Sequence, residues 1–215
     1  MGTLKAPPTL QQAQKYLSYL PNVTDVVYDP LYDRQTYATT GFTQQLFFQV
    51  PAGQNNRTKS DTNMTLAGQL PAGVNFMVTS IEVAYWPAAA DIAAAQAATT
   101  VDADRFLREM YSVYTSLSHL IFHVGSLEKI IQGPLIKFPP SNFIDASVGI
   151  STTVNNSVAG ASFAQLKGKS YETTPIFLTS SENFDVTINY TTAVAVTNTA
   201  AMQVTLNGFK YRNAR

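Results

Sequence analysis

Apolar and polar residues alternate along much of this chain, most regularly towards its end. Phe184, Val186, Ile188 and Tyr190 alternate with Asp185, Thr187 and Asn189, and Met202, Val204 and Leu206 resume the pattern after a polar break. A period of two marks strands with one buried face. Val194 and Val196 keep the parity of the first run, and Thr197, Asn198, Thr199 and Ala200 supply small polar residues between the two. Residues 181–215 are therefore expected to form one long antiparallel hairpin. Parity changes between Leu206 and the pair Phe209 and Tyr211, with Asn207 and Gly208 at the change. A glycine-assisted bulge is expected there.

Upstream, residues 41–50 read as a strand with Leu46, Phe48 and Val50 on one face and Phe47 on the other, ended by Pro51. A polar loop over 52–61 leads to a strand over 62–67, and Pro71 and Gly73 mark a type II turn. Val74, Phe76 and Val78 have one parity and Ile81, Val83 and Tyr85 the other, which places another bulge near Thr79 and Ser80. Bulged strands of this length suit a curved sheet. The period then lengthens. Residues 87–100 are alanine-rich, and a second helical run begins near Asp102 with Phe106, Leu107, Met110, Tyr111 and Tyr114 on one face. This helical insertion, about 88–115, reads as a lid over one end of a sheet pair or as a contact between copies. Strands resume over 117–125 and 127–138, weaken over 141–163 and return at 175–179. About eight to ten strands separated by loops, without crossover helices, predict an all-β antiparallel β-sandwich.

Residues 1–40 differ in character. They hold Pro7, Pro8, Pro21 and Pro30, a glutamine patch at Gln11, Gln12 and Gln14, and the tyrosines Tyr16, Tyr19, Tyr28, Tyr32 and Tyr37. A short helix is expected over about 9–20, capped by Thr9 and ended by Pro21, with extended chain after it. Tyrosine gives large contact area at low entropic cost, so the five tyrosines are candidate assembly contacts on the chain's own surface or a neighbour's. The expected division is an N-terminal arm over 1–40 and a sandwich domain over 41–215.

Charge narrows the classes of function. Fourteen basic and fourteen acidic residues give a formal net charge of zero, and only 13% of residues are charged, against about 25% in typical soluble proteins. Such a surface fits one partly covered by neighbours, or equally a stable extracellular or lumenal monomer rich in Thr, Asn and Ser. There is no cysteine, hence no disulfide or thiolate metal site. No apolar stretch of signal-peptide or membrane-spanning length is present, so a soluble chain that is not secreted is expected. The five N-x-S/T sequons, at Asn22, Asn56, Asn63, Asn155 and Asn189, are attributed to the abundance of these residues. Lys210, Arg212 and Arg215 form the one basic cluster, too small for phosphate-driven binding, so no direct contact with nucleic acid is expected.

Candidate chemistry is sparse. His119 and His123 are the only histidines; on a strand their side chains stand about 13 Å apart, too far to share an ion. The run from Gly160 to Ala164 approaches a nucleophile elbow but lacks its last glycine and its strand-turn-helix setting. Acid pairs such as Asp102 with Asp104, or Glu172 with Glu182, read as caps and solvated loops rather than as a glycosidase pair. No phosphate-binding glycine loop appears. No catalytic residue, cofactor or metal is predicted.

The plan as a whole resembles the jelly-roll structural proteins of viruses and bacteriophages. What carries the resemblance is the tyrosine- and proline-rich arm, a strand near Gly41, about eight strands with irregular loops, a helical insertion and a last strand over 202–211. It spans about 41–212 and is one of plan, with no motif matched residue by residue. It implies two apposed antiparallel sheets, self-assembly into a shell or a virion-associated homo-oligomer, partners among copies of itself and other virion proteins, location in the virion, and no catalysis. The absence of a basic arm departs from small capsids that package RNA. The alternative, from another class, is a carbohydrate-binding β-sandwich in which Tyr85 and Trp86 form a stacking platform for sugar rings. A glycan-cleaving enzyme on the same fold ranks third.

Overall fold

The structure, a computed structural model, describes residues 15, 17, 18, 23–91, 100–125, 128–138, 142–145, 164–167 and 171–213. Its strands are β1 (Val23–Tyr28), β2 (Leu31–Tyr37), β3 (Gln44–Phe47), β4 (Asn75–Trp86), β5 (Ser118–Val124), β6 (Glu128–Pro134), β7 (Asn142–Asp145), β8 (Ala164–Lys167), β9 (Tyr171–Leu178), β10 (Phe184–Tyr190) and β11 (Ala200–Asn213). Helix α1 (Thr100–Thr115) lies between β4 and β5, and a 3-10 turn, Leu135–Lys137, follows β6.

The fold is an all-β antiparallel sandwich. One sheet runs β2-β11-β4-β9, with β1 continuing the line of β2 along the same edge of β11; the other runs β3-β10-β5-β6. β7 and β8 pair only with each other. Alternation supplies the core: Met202, Val204 and Leu206 of β11, Ile81 and Val83 of β4, Val186 and Ile188 of β10 and Leu120 and Phe122 of β5 all belong to one buried cluster. Two sheets packed face to face, each burying alternate residues, are how such sequences remove apolar surface from water.

The connections follow one rule. Setting aside β1, β7 and β8, the strands nest as β2 with β11, β3 with β10, β4 with β9 and β5 with β6. The chain behaves as one long antiparallel ribbon folded over two layers. Only the step from β5 to β6 stays within a sheet; every other step among these eight strands crosses to the opposite layer.

This corrects the hairpin expected over 181–215. β10 and β11 lie in different sheets, and 191–199 is the crossing between them rather than strand. Two strands that face each other across a core carry the same alternation as two that lie side by side, so periodicity alone does not separate the cases. The crossing is anchored at Gly41 (φ 69°), where a β-carbon would collide with the Val194 carbonyl. Val196 N–H donates to the Thr39 carbonyl at 2.9 Å.

The two bulges expected in β4 and β11 are a single irregularity. Asn207 faces Ser80 and Gly208 faces Val78, so Thr79 is the extra residue and the bulge sits on β4. The Thr79 hydroxyl donates to the Asn207 carbonyl at 3.2 Å. Gly208 is needed because a β-carbon there would strike the Met77 carbonyl. Beyond this point Phe209 and Tyr211 turn to the outer face, where they pack with Met77, Leu17, Val23 and Val26 in a second, smaller cluster. The parity change in β11 thus marks a change of buried face.

Other expectations shift as well. The arm foreseen over 1–40 is drawn into the sheet from Val23 onward, because β1 and β2 complete the edge of β11. The strand expected over 62–67 reduces to isolated bridges, Asp33 to Thr62 and Leu66 to Gln69. The turn at 71–74 closes through Val74 N–H to the Pro71 carbonyl at 3.0 Å, with Gly73 at φ 77°. On α1, Met110, Val113 and Tyr114 are buried while Tyr111 faces solvent. The side chains of Phe106 and Leu107, and most of the alanine-rich run, lie outside the described residues.

Helix α1 closes one end of the sandwich. β9 accompanies β4 only as far as Ile81, leaving the backbone of Val83 and Tyr85 without a strand on that side. The Tyr114 hydroxyl takes the place of the missing strand: it accepts from Tyr85 N–H and donates to the Val83 carbonyl, both at 2.8 Å. Val83 N–H donates to the Phe138 carbonyl at 3.0 Å. Buried backbone groups need partners, and here an insertion supplies them.

Candidate functional site

The tyrosines expected to act together are dispersed. Tyr16 and Tyr19 lie outside the described residues. Tyr28 is exposed on β1, edge-on to Phe209 at 5.4 Å, and its hydroxyl donates to Asn207 Oδ1 at 3.2 Å. The Tyr32 hydroxyl bonds the Lys59 carbonyl. Tyr37 is wholly buried, stacked edge to face on Phe42 and Tyr85, and donates to the Val194 carbonyl at 2.7 Å. Inward parity on β2 makes Tyr37 a core residue, out of reach of a neighbour. Desolvation by burial pushes its phenol up to about 12. Desolvation likewise raises Tyr85, Tyr114 and Tyr190.

Tyr85 and Trp86 do not share a platform. Consecutive residues of a strand point to opposite faces, so Tyr85 enters the core while Trp86, 46% exposed, stands on the outer face of the sheet. The Arg34 guanidinium lies 5.4 Å from the centre of the Trp86 ring and covers part of it. Around them the outer face is a polar carpet: Asn207 donates to Ser80 Oγ (3.1 Å) and Glu82 Oε1 (2.5 Å), and Gln203 to Thr205 Oγ1 (3.1 Å).

His119 and His123 stand on the outer face of the other sheet. His123 Nδ1 meets Asp185 Oδ1 at 2.9 Å and His119 Nε2 lies 3.5 Å from Asn189 Nδ2. No cluster of three or more metal-ligating side chains occurs among the described residues. None of the described helices is long and apolar enough to cross a membrane.

Three features escaped the sequence reading. The first is a buried ion pair at the β2 edge of the five-stranded sheet, level with Val204 and Val83. Asp33, fully buried on β2, accepts from Arg57, from Phe48 N–H at 2.5 Å and from Gln35 Nε2 at 3.1 Å. Arg57 also donates to the Arg34 carbonyl at 2.7 Å, which ties the 48–62 segment to the sheet. Burial pushes the Asp33 carboxyl up, against the pull of the Phe48 N–H and the Arg57 guanidinium. Phe48 itself is held at φ 69°, a costly conformation that the bond to Asp33 fixes. The available signal was Asp33 at the inward parity of Leu31 and Tyr37.

The second is a groove of about 700 Å³ beside β1, floored by the buried Leu31, Met64 and Leu70 and rimmed by the Lys210–Asp29 ion pair at 2.5 Å. The third is an exposed apolar corner at Tyr111, Leu117 and Ile136. A pocket of about 320 Å³ beside Leu117 and Ile136 is lined also by Ser116, Ser118, His119 and Thr191. Comparison with protein-family models, with curated proteins and with solved structures finds no match to this chain.

Proposed function

We propose that the chain is a structural protein of a virus or phage particle, with a jelly-roll sandwich that assembles with copies of itself into a shell or a virion-associated oligomer. The observation that carries this reading is the strand order. A jelly roll is an antiparallel ribbon rolled over two sheets, and the nested pairs β2–β11, β3–β10, β4–β9 and β5–β6 follow that plan. Two further features support it. Few charges, 13% of residues with no net excess, suit a surface covered by neighbours. Large apolar side chains, among them Leu46, Tyr111, Leu117 and Ile136, are left exposed. The role is structural rather than catalytic, and its site is the virion. The test is light scattering with negative-stain electron microscopy on the full chain. A defined oligomer or closed shell is expected, and a compact monomer at high concentration would refute the proposal.

The carbohydrate-binding alternative rests on the exposed Trp86 alone, now without Tyr85. An unchanged tryptophan emission across a panel of sugars, together with a silent glycan array, would eliminate it.

A further inference from the structure

The groove of about 700 Å³ beside β1 opens where β4 begins and β11 finishes, since Val74, Lys210 and Arg212 line it. Its floor is apolar, with Leu31, Met64 and Leu70 belonging to the main core. Val27, 56% exposed, adds apolar surface on the β1 side. The rim is charged. Asp29 and Lys210 pair with each other, and Asp25 stands exposed with no hydrogen bond or ion pair among the described residues.

The chain itself arrives at this groove. Leu17, 2% exposed, packs with Met77, Phe209 and Tyr211 and against Val26 in the outer cluster, and Val26 and Tyr211 are also walls of the groove. The residues before Lys15 lie outside the described ones. In the helix expected from the sequence, Thr9 stands about 12 Å from Leu17, and residues 1–8 in extended form span about 25 Å more. Passing from the outer cluster into the groove means rounding β1, a single edge strand about 5 Å wide. The reach is ample. The chemistry also matches, for Leu4, Lys5, Ala6, Pro7 and Pro8 follow one another there. Proline has no N–H, so Pro7 and Pro8 can lie on an apolar floor without burying an unpaired donor. Each proline also holds the residue before it extended, which lowers the entropy lost on seating. Lys5 supplies one cation for Asp25.

We propose that residues 4–8 of the same chain fill this groove, with Leu4, Pro7 and Pro8 on the floor of Leu31, Met64 and Leu70 and Lys5 beside Asp25. A second copy offers the same residues. The chain's own segment, however, is held at the groove wall by Leu17 and so is present there at an effective concentration of about millimolar. It fills its own groove first. The residues before Leu17 thus form a strap that closes this end of the sandwich, and the inference stands independently of the self-assembly proposed above.

The experiment is cysteine trapping in the full chain, which has no cysteine of its own. Leu4→Cys, Ala6→Cys and Pro8→Cys are each combined with Val27→Cys, at an exposed position of the groove wall, and with Leu117→Cys, 79% exposed beside α1, as the distant control. A disulfide needs α-carbons within about 7 Å, so a bond reports a seated segment. At least one Val27→Cys pair is expected to close within a single chain about tenfold faster than its control. A second readout needs no cysteine: trypsin should cut after Lys5 slowly in the wild type and about tenfold faster in Val27→Asp, which puts a charge on the apolar wall. Circular dichroism checks that the variant folds. Pairs that close no faster than their controls overturn the proposal, as do bonds that form only between chains and scale with concentration. Equal cleavage after Lys5 in the wild type and Val27→Asp overturns it too.

Discussion

At the end of the sandwich where α1 packs, closure is the work of neutral hydroxyls. Tyr114 bonds the free edge of β4, Tyr190 donates to the Val113 carbonyl at 2.8 Å and Tyr37 to the Val194 carbonyl at 2.7 Å. At the β2 edge of the same sheet one buried ion pair, Asp33 with Arg57, gathers the long segment after β3. Both regions solve the same problem, that of satisfying backbone groups where strands stop. They differ in how failure propagates. A tyrosine hydroxyl can be removed and leave an apolar ring in place, while removing one member of a buried ion pair strands the other charge.

The largest expected effect follows from that asymmetry. Asp33→Ala should lower unfolding stability by about 3–5 kcal/mol, because it leaves Arg57 buried without its carboxylate and the Phe48 N–H without an acceptor. Urea denaturation reads this directly. A change below about 1 kcal/mol would mean that Arg57 simply swings into water.

Next comes Tyr114→Phe, which keeps the ring and deletes the hydroxyl that serves both Val83 and Tyr85. A loss of about 1–3 kcal/mol is expected by the same assay. The two sites share no hydrogen-bond partner and have β11 between them, so the double variant Asp33→Ala with Tyr114→Phe should be additive to within about 0.5 kcal/mol. Marked non-additivity would show that the two sites are coupled through the core.

The two regions also differ in their response to alkali. Tyr37, Tyr85, Tyr114 and Tyr190 have phenols raised by burial, while an unfolded tyrosine ionises near 10. The folded state therefore holds protons that the unfolded state releases. Stability is unaffected below about pH 10 and falls as pH rises from there towards the folded values. Tyrosinate absorbance should rise in two stages, the exposed phenols first and these four only as the fold opens. A single smooth titration of all eleven tyrosines would contradict their burial.

The smallest effect is expected at Arg34→Ala, which removes the cation from the Trp86 ring. Stability should fall by no more than about 1 kcal/mol, with a shift in tryptophan emission as the ring meets water.

Much of this fold was legible in the sequence, and what was not has a common cause. The faces of β4, β5, β10 and β11 and the position of α1 could be read because each buries one side. Which strands neighbour one another could not, because alternation records burial but not adjacency; hence β10 and β11 were joined in a hairpin that they do not form. β1 was missed because its register shifts between Thr24 and Val27 and Asp25 sits at φ 52°, which breaks any period of two. The sugar platform of Tyr85 and Trp86 failed against the alternation rule itself. Asp33 at an inward position was a visible sign of a buried partner, yet nothing in the sequence pointed to Arg57. The exposed corner at Tyr111 was hidden because the helical period placed that residue near the buried face, where Val113 lies instead.

The account turns on whether the chain associates with itself, and the most direct measurement is the mass of the full chain in solution across a concentration series. A defined multiple of 23.4 kDa, or a particle built from many copies, is the predicted result. A mass that stays at 23.4 kDa up to hundreds of micromolar would contradict it.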